Sequence, residues 1–300
     1  MAWNRRSTVL GIVLLLAVSA AGVVVAFQLW LGGYIPLVSE GRVAIIPIQG
    51  IIDSDRAVLR TLDRYRDDSS VRAFVLEISS PGGGVGPSQS IYSELRKLRE
   101  EDNRPLIAWI GSVGASGGYY VALPADSIFA LPGSITGSIG VIMQFANAEG
   151  LLDKVGIGLE VVKSGQFKDT GSPARPLSDE EREILQEVIH DTYGQFVDAI
   201  TDSRGMEREA VLEVADGRIL SGERAMSVGL IDRLGTLPDA IAAAGEMAGL
   251  GSDPKTLRPT QRRATWIDLI GQIPGLRWME FLGRLDESGA LTPSLRYQWQ

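Results

Sequence analysis

The 300-residue chain contains no cysteine and a single histidine, His190. The first absence removes disulfides, thiolate nucleophiles and Cys-type metal sites together, and it is compatible with an oxidising compartment. The second leaves His190 as the only base that a Ser-His-Asp triad could use. Lysine is scarce as well, with only Lys97, Lys154, Lys163, Lys168 and Lys255 among 29 basic residues. The net charge of -8 and pI near 4.9 argue against a general nucleic-acid partner, whose phosphates require basic surface. A Walker lysine and a complete dinucleotide fingerprint are both missing, so no cofactor and no metal are expected. What the chain does have is 45% apolar residues, enough at this length to bury one sizeable core.

Residues 9–31, which follow Arg5 and Arg6, carry no charge, and their only clearly polar members are Ser19 and Gln28. A membrane-spanning helix needs about 20 such residues, whereas a secretory h-region has about 7 to 15. An uncleaved anchor is therefore favoured over a signal peptide cut near Val18-Ser19-Ala20. The arginine pair predicts a cytoplasmic N-terminus and a body on the outer, periplasmic or extracellular, face of the cell membrane. The expected division is a cytoplasmic N-terminus (1–8), an anchor (9–31), a linker (32–40), a globular body (41–249) and a tail (250–300).

Within the body, β-branched apolar runs alternate with segments of helical periodicity, the pattern of an α/β fold. Val43–Ile48 and Val71–Ile78 read as buried strands around a helix over Ser54–Asp67, followed by a loop at Ser79–Gly86, a helix at about Ser88–Arg99 and a strand at Leu106–Ile110. Shorter strands are expected at Ser127–Leu131, Val141–Phe145 and Leu159–Lys163. Ser178 and Glu181 form a capping box that opens a long helix, with Ile184, Leu185, Val188, Ile189, Phe196 and Ile200 as its buried stripe. In the tail, Trp266 to Leu282 is apolar and reads as two short helices on the body or a neighbouring subunit, or as an interfacial membrane pair.

The densest chemical signal is Gly111-Ser112-Val113-Gly114-Ala115-Ser116-Gly117-Gly118-Tyr119-Tyr120, after a predicted strand. Small neighbours let a carbonyl approach Ser116, and the Gly117 N–H lies where an oxyanion could be stabilised. Gly114 to Gly118 fits G-x-S-x-G letter by letter, yet no suitable histidine follows. His190 falls opposite the apolar stripe of its helix and reads as solvent-facing. A serine without histidine needs another base, and a lysine desolvated in a pocket can accept its proton. Lys97 and Lys255 look solvated and Lys154 sits in a short polar helix. Lys163 and Lys168 bracket a loop after an apolar run, and composition alone does not separate them. Asp169 reads as a turn or surface residue, because a neutral base must not be ion-paired.

Ser80-Pro81-Gly82-Gly83-Gly84, Ala115 to Tyr120, Thr136-Gly137-Ser138-Ile139-Gly140-Val141 and Ser164-Gly165-Gln166-Phe167-Lys168 resemble, in order and spacing, the motifs of the signal peptide peptidase A family. The likeness continues through Ser221 to Ala225 and Gly229 to Asp232 and covers about residues 40 to 245. It implies a Clp-protease/crotonase-like fold of stacked ββα units and a serine-lysine dyad. Carried over motif by motif, Ser116 is the nucleophile, Lys168 the base and Ser138 the hydroxyl that orients the lysine. Gly83 and Gly117 then supply the oxyanion N–H groups. The chain has the short form of the family, so the resemblance also implies a homo-oligomer in which Ser116 of one protomer meets Lys168 of a neighbour. The implied substrates are apolar remnant signal peptides. Two other readings stay open on the residues alone: acyl-CoA chemistry on the crotonase side of the superfold, and an inactive scaffold. Gly82 to Gly84 could also be a plain turn, and Ser138 a turn serine bonded to its own backbone.

Overall fold

A computed structural model describes residues 15–20, 22, 41–259 and the strand 296–298. Residues 15–20 and 22 are helical and exposed. Most of the expected anchor and the apolar stretch 266–282 lie outside the described residues. Among the described residues, no helix is long and apolar enough to cross a membrane.

The body unit, 41–300, is built on a mainly parallel sheet. β1 (Arg42–Gln49) runs into α1 (Arg56–Arg66) and returns as β2 (Val71–Ser80), and the two strands pair in parallel from end to end. β3 (Gly82–Gly84) and α2 (Val85–Glu101) lead to β4 (Leu106–Gly114), which pairs with the other edge of β2. The strand order is β7-β6-β4-β2-β1-β9, with β5 (Ser127–Ala130) also on β4 and β8 (Arg233–Leu234) on β5. β6 (Ile135–Gly137) and β7 (Ile219–Ser221) form an antiparallel pair. β9 (Lys255–Leu257) pairs with β1, so the sheet extends past residue 249.

The apolar runs of β1 and β2 are continuous because both faces of the sheet are covered. Alternate residues go to opposite layers: Ala44, Ile46, Phe74 and Leu76 join the large core beneath α1 and α2. Val43, Ile45, Ala73 and Val75 pack against Ala240 and Ala244 of the C-terminal helix Leu237–Met247. In chain order, α3 (Gly117–Tyr120), α4 (Glu149–Val155) and the long α5 (Asp179–Arg204) come between β4 and that helix.

Three expectations need correction. Val141–Phe145 and Leu159–Lys163 are not strands. Leu159, Val161 and Val162 are exposed, so their apolar character has no partner strand among the described residues. The stripe of α5 is buried only in its second half: Phe196 and Ile200 are fully covered, whereas Ile184 and Val188 are 40% and 38% exposed. The helix at Ser88 begins three residues earlier, at Val85.

Phe74 is completely buried in the larger core. Phe74→Ala is expected to cost about 3–5 kcal/mol, read as a lowered urea midpoint. Ile184→Ala should cost well under about 1 kcal/mol, as is usual away from buried features.

Candidate active site

The site is set by how β4 ends. β4 keeps register with β2 up to Ile78↔Ile110, and then the pairing slips so that Ser80 faces Gly114. The freed end of β4 leaves β5 and meets β6 at Val113↔Ile135. Thr136 Oγ1 donates to Gly114 O at 2.7 Å, Ala115 N to Ser80 O at 3.1 Å, and Ser116 N to Gly137 O at 2.8 Å. The chain is thereby held on both sides while it turns into α3.

That turn forces Ser116 to φ 53°, ψ -118°. Among the described residues only Ser116 and Ser138 are non-glycine residues with positive φ. A serine has a Cβ that disfavours this region, and such strain is typical of functional positions at about 1–3 kcal/mol each. Ser116 is 1% exposed, and its Oγ is buried with no hydrogen-bond partner among the described residues. A buried hydroxyl left unpaired is uncommon and calls for a reason. Ser138, also buried, follows directly on the Gly137 carbonyl that holds Ser116, and its N–H donates to Arg218 O at 2.7 Å.

Gly117 is buried as the first residue of α3, and α3 packs against β3. A side chain on Gly118 would meet Ser80 O at 2.5 Å, and one on Gly83 would meet Ile52 O at 2.3 Å. Both positions therefore need glycine because backbones touch there. Tyr119 donates from its hydroxyl to Leu230 O at 2.6 Å, and Tyr120 stacks between Tyr92 and Phe196. Burial pushes the Tyr120 hydroxyl up to about 12, so both rings act as neutral anchors for α3. The strand Arg296–Gln298, β10, lies antiparallel on Gly82–Gly84 with Tyr297 opposite Gly83, and it also meets α3.

Ser116, Gly117, Ser138 and Gly83 thus cluster around one strand end. Lys168 does not join them: it is exposed, and no hydrogen bond links it to Ser116. It sits in a turn bounded by a charge network. Lys163 Nζ donates to Gln166 O at 2.8 Å and Asp169 Oδ1 at 2.6 Å. Arg175 bonds both Asp169 and Glu181, and Thr170 also donates to Glu181. These partners, Arg175 first, hold the Asp169 carboxyl far below its usual range, and Arg175 and the Ser178 N–H hold Glu181 at about 2. His190 is exposed on α5, as expected. It lines a cavity of about 420 Å³ with Ser138, Ile139, Val141, Ile189 and Tyr193. Arg175 and Thr136 were not singled out from the sequence; Glu181 was read only as a cap, although a cap carboxylate this close to a basic loop has a second use available.

A strained serine, buried with a free hydroxyl at the end of a sheet strand and ringed by glycine backbone, is built for nucleophilic attack on a carbonyl; with the comparisons, it places the chain among the serine peptidases. Residues 99–251 match the profile of Peptidase family S49. The chain is 41% identical over 256 residues to a putative protease of Synechocystis, covering 80% of this chain and 91% of that one. It is 40% identical over 183 residues to a putative signal peptide peptidase SppA of Enterococcus faecium, covering 61% and 53%. It is 34% identical over 224 residues to Protease 4 of Salmonella typhi, covering 72% and 36%. It therefore spans most of the first relative and about half or less of the other two. The chain belongs to peptidase family S49, the signal peptide peptidase A family, and is a serine peptidase with a mixed α/β fold.

Two outcomes follow. Gly83→Ala should shift β3, lowering stability by about 1–3 kcal/mol as overpacking does, with peptide turnover falling in parallel; thermal melts and peptide hydrolysis check it. The depressed Asp169 and Glu181 contribute stability above their unfolded values, so it is lost as pH falls from about 4.5 towards 2. Hydrogen exchange at the start of α5 should accelerate over that window.

Proposed function

We propose that the protein is a membrane-anchored endopeptidase that cleaves remnant signal peptides and other apolar peptides with a Ser116–Lys168 dyad. The carrying observation is the strained, buried Ser116 whose hydroxyl has no partner among the described residues. In this reading the Lys168 amine takes the Ser116 proton as Oγ attacks the scissile carbonyl, and the resulting ammonium protonates the leaving amine. The Gly83 and Gly117 N–H groups hold the oxyanion, and Ser138 orients the amine. Water then repeats the sequence on the acyl-enzyme and frees Ser116.

Four features support the substrate class and the assembly. β10 on β3 indicates that this edge accepts an extended chain by backbone pairing. The cavity beside Ser138 is lined largely by apolar side chains, and a relative carries the name signal peptide peptidase. Lys168 is exposed, as are Ile184, Val188 and Val162 nearby in sequence, which fits a base delivered to the Ser116 of a neighbouring protomer in a homo-oligomer. The body would adopt the stacked ββα arrangement of Clp-protease and crotonase proteins. It would stand on the outer face of the membrane, held by residues 9–31, with residues 41–249 as the peptidase domain.

Ser116→Ala and Lys168→Ala should each reduce cleavage of synthetic signal peptides at least about 10³-fold, the scale of losing a member of a catalytic unit. Mixing the two inactive variants under conditions of subunit exchange should restore part of the activity, because some sites then combine an intact serine with an intact lysine. Full activity in Lys168→Ala alone would sink the dyad, and failure of complementation in exchanged oligomers would sink the shared site.

A further inference from the structure

The turn that carries Lys168 poses a problem of electrostatics. Asp169 is its immediate neighbour, and a carboxylate within about 4–6 Å of a lysine favours the ammonium form, which cannot act as a base. The network described above removes that carboxylate from play. Asp169 Oδ1 accepts from Lys163 Nζ at 2.6 Å and from Arg175 Nη2 at 3.0 Å, and Asp169 Oδ2 accepts from Arg175 Nε at 3.3 Å. Arg175 is itself held by Glu181, through Nη1 at 2.8 Å and Nη2 at 2.6 Å, and by Pro176 O at 3.0 Å. Glu181 in turn is fixed by the Ser178 N–H at 2.9 Å and by Thr170 Oγ1 at 3.1 Å.

The arrangement is closed. Two cations, Lys163 and Arg175, face two carboxylates, Asp169 and Glu181, and these four are the charged groups that meet Asp169 or its partner among the described residues. The Glu181 side chain is only 3% exposed and the Asp169 side chain 15%, so the links are partly withdrawn from solvent screening. Lys168 is bracketed by this network and takes no part in it: no hydrogen bond or ion pair reaches its amine among the described residues.

We propose that Arg175 is a positioning residue for the reaction: anchored on Glu181, it draws Asp169 away from Lys168, so that the neighbouring carboxylate does not pair with the lysine amine. The proposal rests on the reading of Lys168 as the base, and it adds a reason why an acidic residue next to that base is tolerated. It also gives the Ser178–Glu181 capping box a second task. The cap joins the start of α5 to the turn that bears Lys168, so the helix and the base are set by one carboxylate.

The test uses the full-length protein and an apolar signal peptide, comparing Arg175→Met, Asp169→Asn and the double variant, with Lys168→Ala alongside. Arg175→Met should lower kcat roughly 10- to 100-fold, the scale of a misplaced catalytic group, with KM within about twofold. The rising limb of kcat against pH should move to higher pH, because the released Asp169 now pairs with the amine. Asp169→Asn should stay within about twofold of the parent, and the double variant should recover most of the lost kcat. A merely structural link predicts the opposite: Asp169→Asn as damaging as Arg175→Met, and no recovery on combining them. Either result overturns the proposal. Should Arg175→Met fail to fold, Lys163→Met, which removes the other cation on Asp169, takes its place with the same partner variant and the same outcomes. An inactive Lys168→Ala beside a wild-type-like Arg175→Met defeats the positioning role alone. A fully active Lys168→Ala defeats the dyad, and the positioning role with it.

Discussion

The turn by which β4 passes into α3 is the constraint from which the rest of the site follows. Once the β2–β4 register slips beyond Ile78↔Ile110, the end of β4 can pair with β6. The backbone at Ser116 is then pinned between Ser80 on one side and Gly137 on the other. With the chain fixed at both sides, the direction change falls on Ser116 itself, and the left-handed conformation is the one that fits. The same pinning sets Ser138 next to the Gly137 carbonyl, requires glycine at 118 against Ser80 O, and leaves the Ser116 hydroxyl enclosed without a partner. The site stands where parallel strands end, the place at which α/β sheets commonly present their ligands.

Much of this was legible in the sequence, and the reasons differ by element. β1 and β2 announced themselves because a strand buried on both faces reads as an unbroken β-branched run, as Val43 to Ile48 and Val71 to Ile78 do. The capping box at Ser178 and Glu181 was legible because it is a local interaction with a fixed spacing. Val141–Phe145 and Leu159–Lys163 misled for the converse reason: apolar composition signals burial, and among the described residues Leu159 and Val162 have nothing to bury against. β6 and β7 were missed because three-residue strands leave no period to detect. The grouping of Ser116, Ser138, Gly83 and Gly117 came from three of the four motifs in register, and the structure gathers them around one strand end, with Lys168 of the fourth motif apart from them. The Arg175 link was not legible, because it depends on where two loops fold back, and no pattern within either loop encodes that.

The two halves of the proposed dyad occupy contrasting surroundings. Ser116 is buried, whereas Lys168 is offered to the outside on a turn bracketed by the ion pairs of Arg175, Lys163, Asp169 and Glu181. Uncovered apolar residues fall on the first half of α5 and on the segment before Lys168. In the proposed assembly these facts belong together, since the surface that hides Ile184 and Val188 and the delivery of the amine both need a second copy. In that assembly, proteolysis would switch on only where copies meet.

Ser116 and Ser138 hold conformations that a glycine would adopt without penalty. Each serine therefore works against the fold at the position where it is needed, by about 1–3 kcal/mol. A chain released from selection for catalysis would find its easiest gains in stability by drifting to glycine at these two positions. Serine at both positions, against that strain, is what the proposed roles of the two hydroxyls would require.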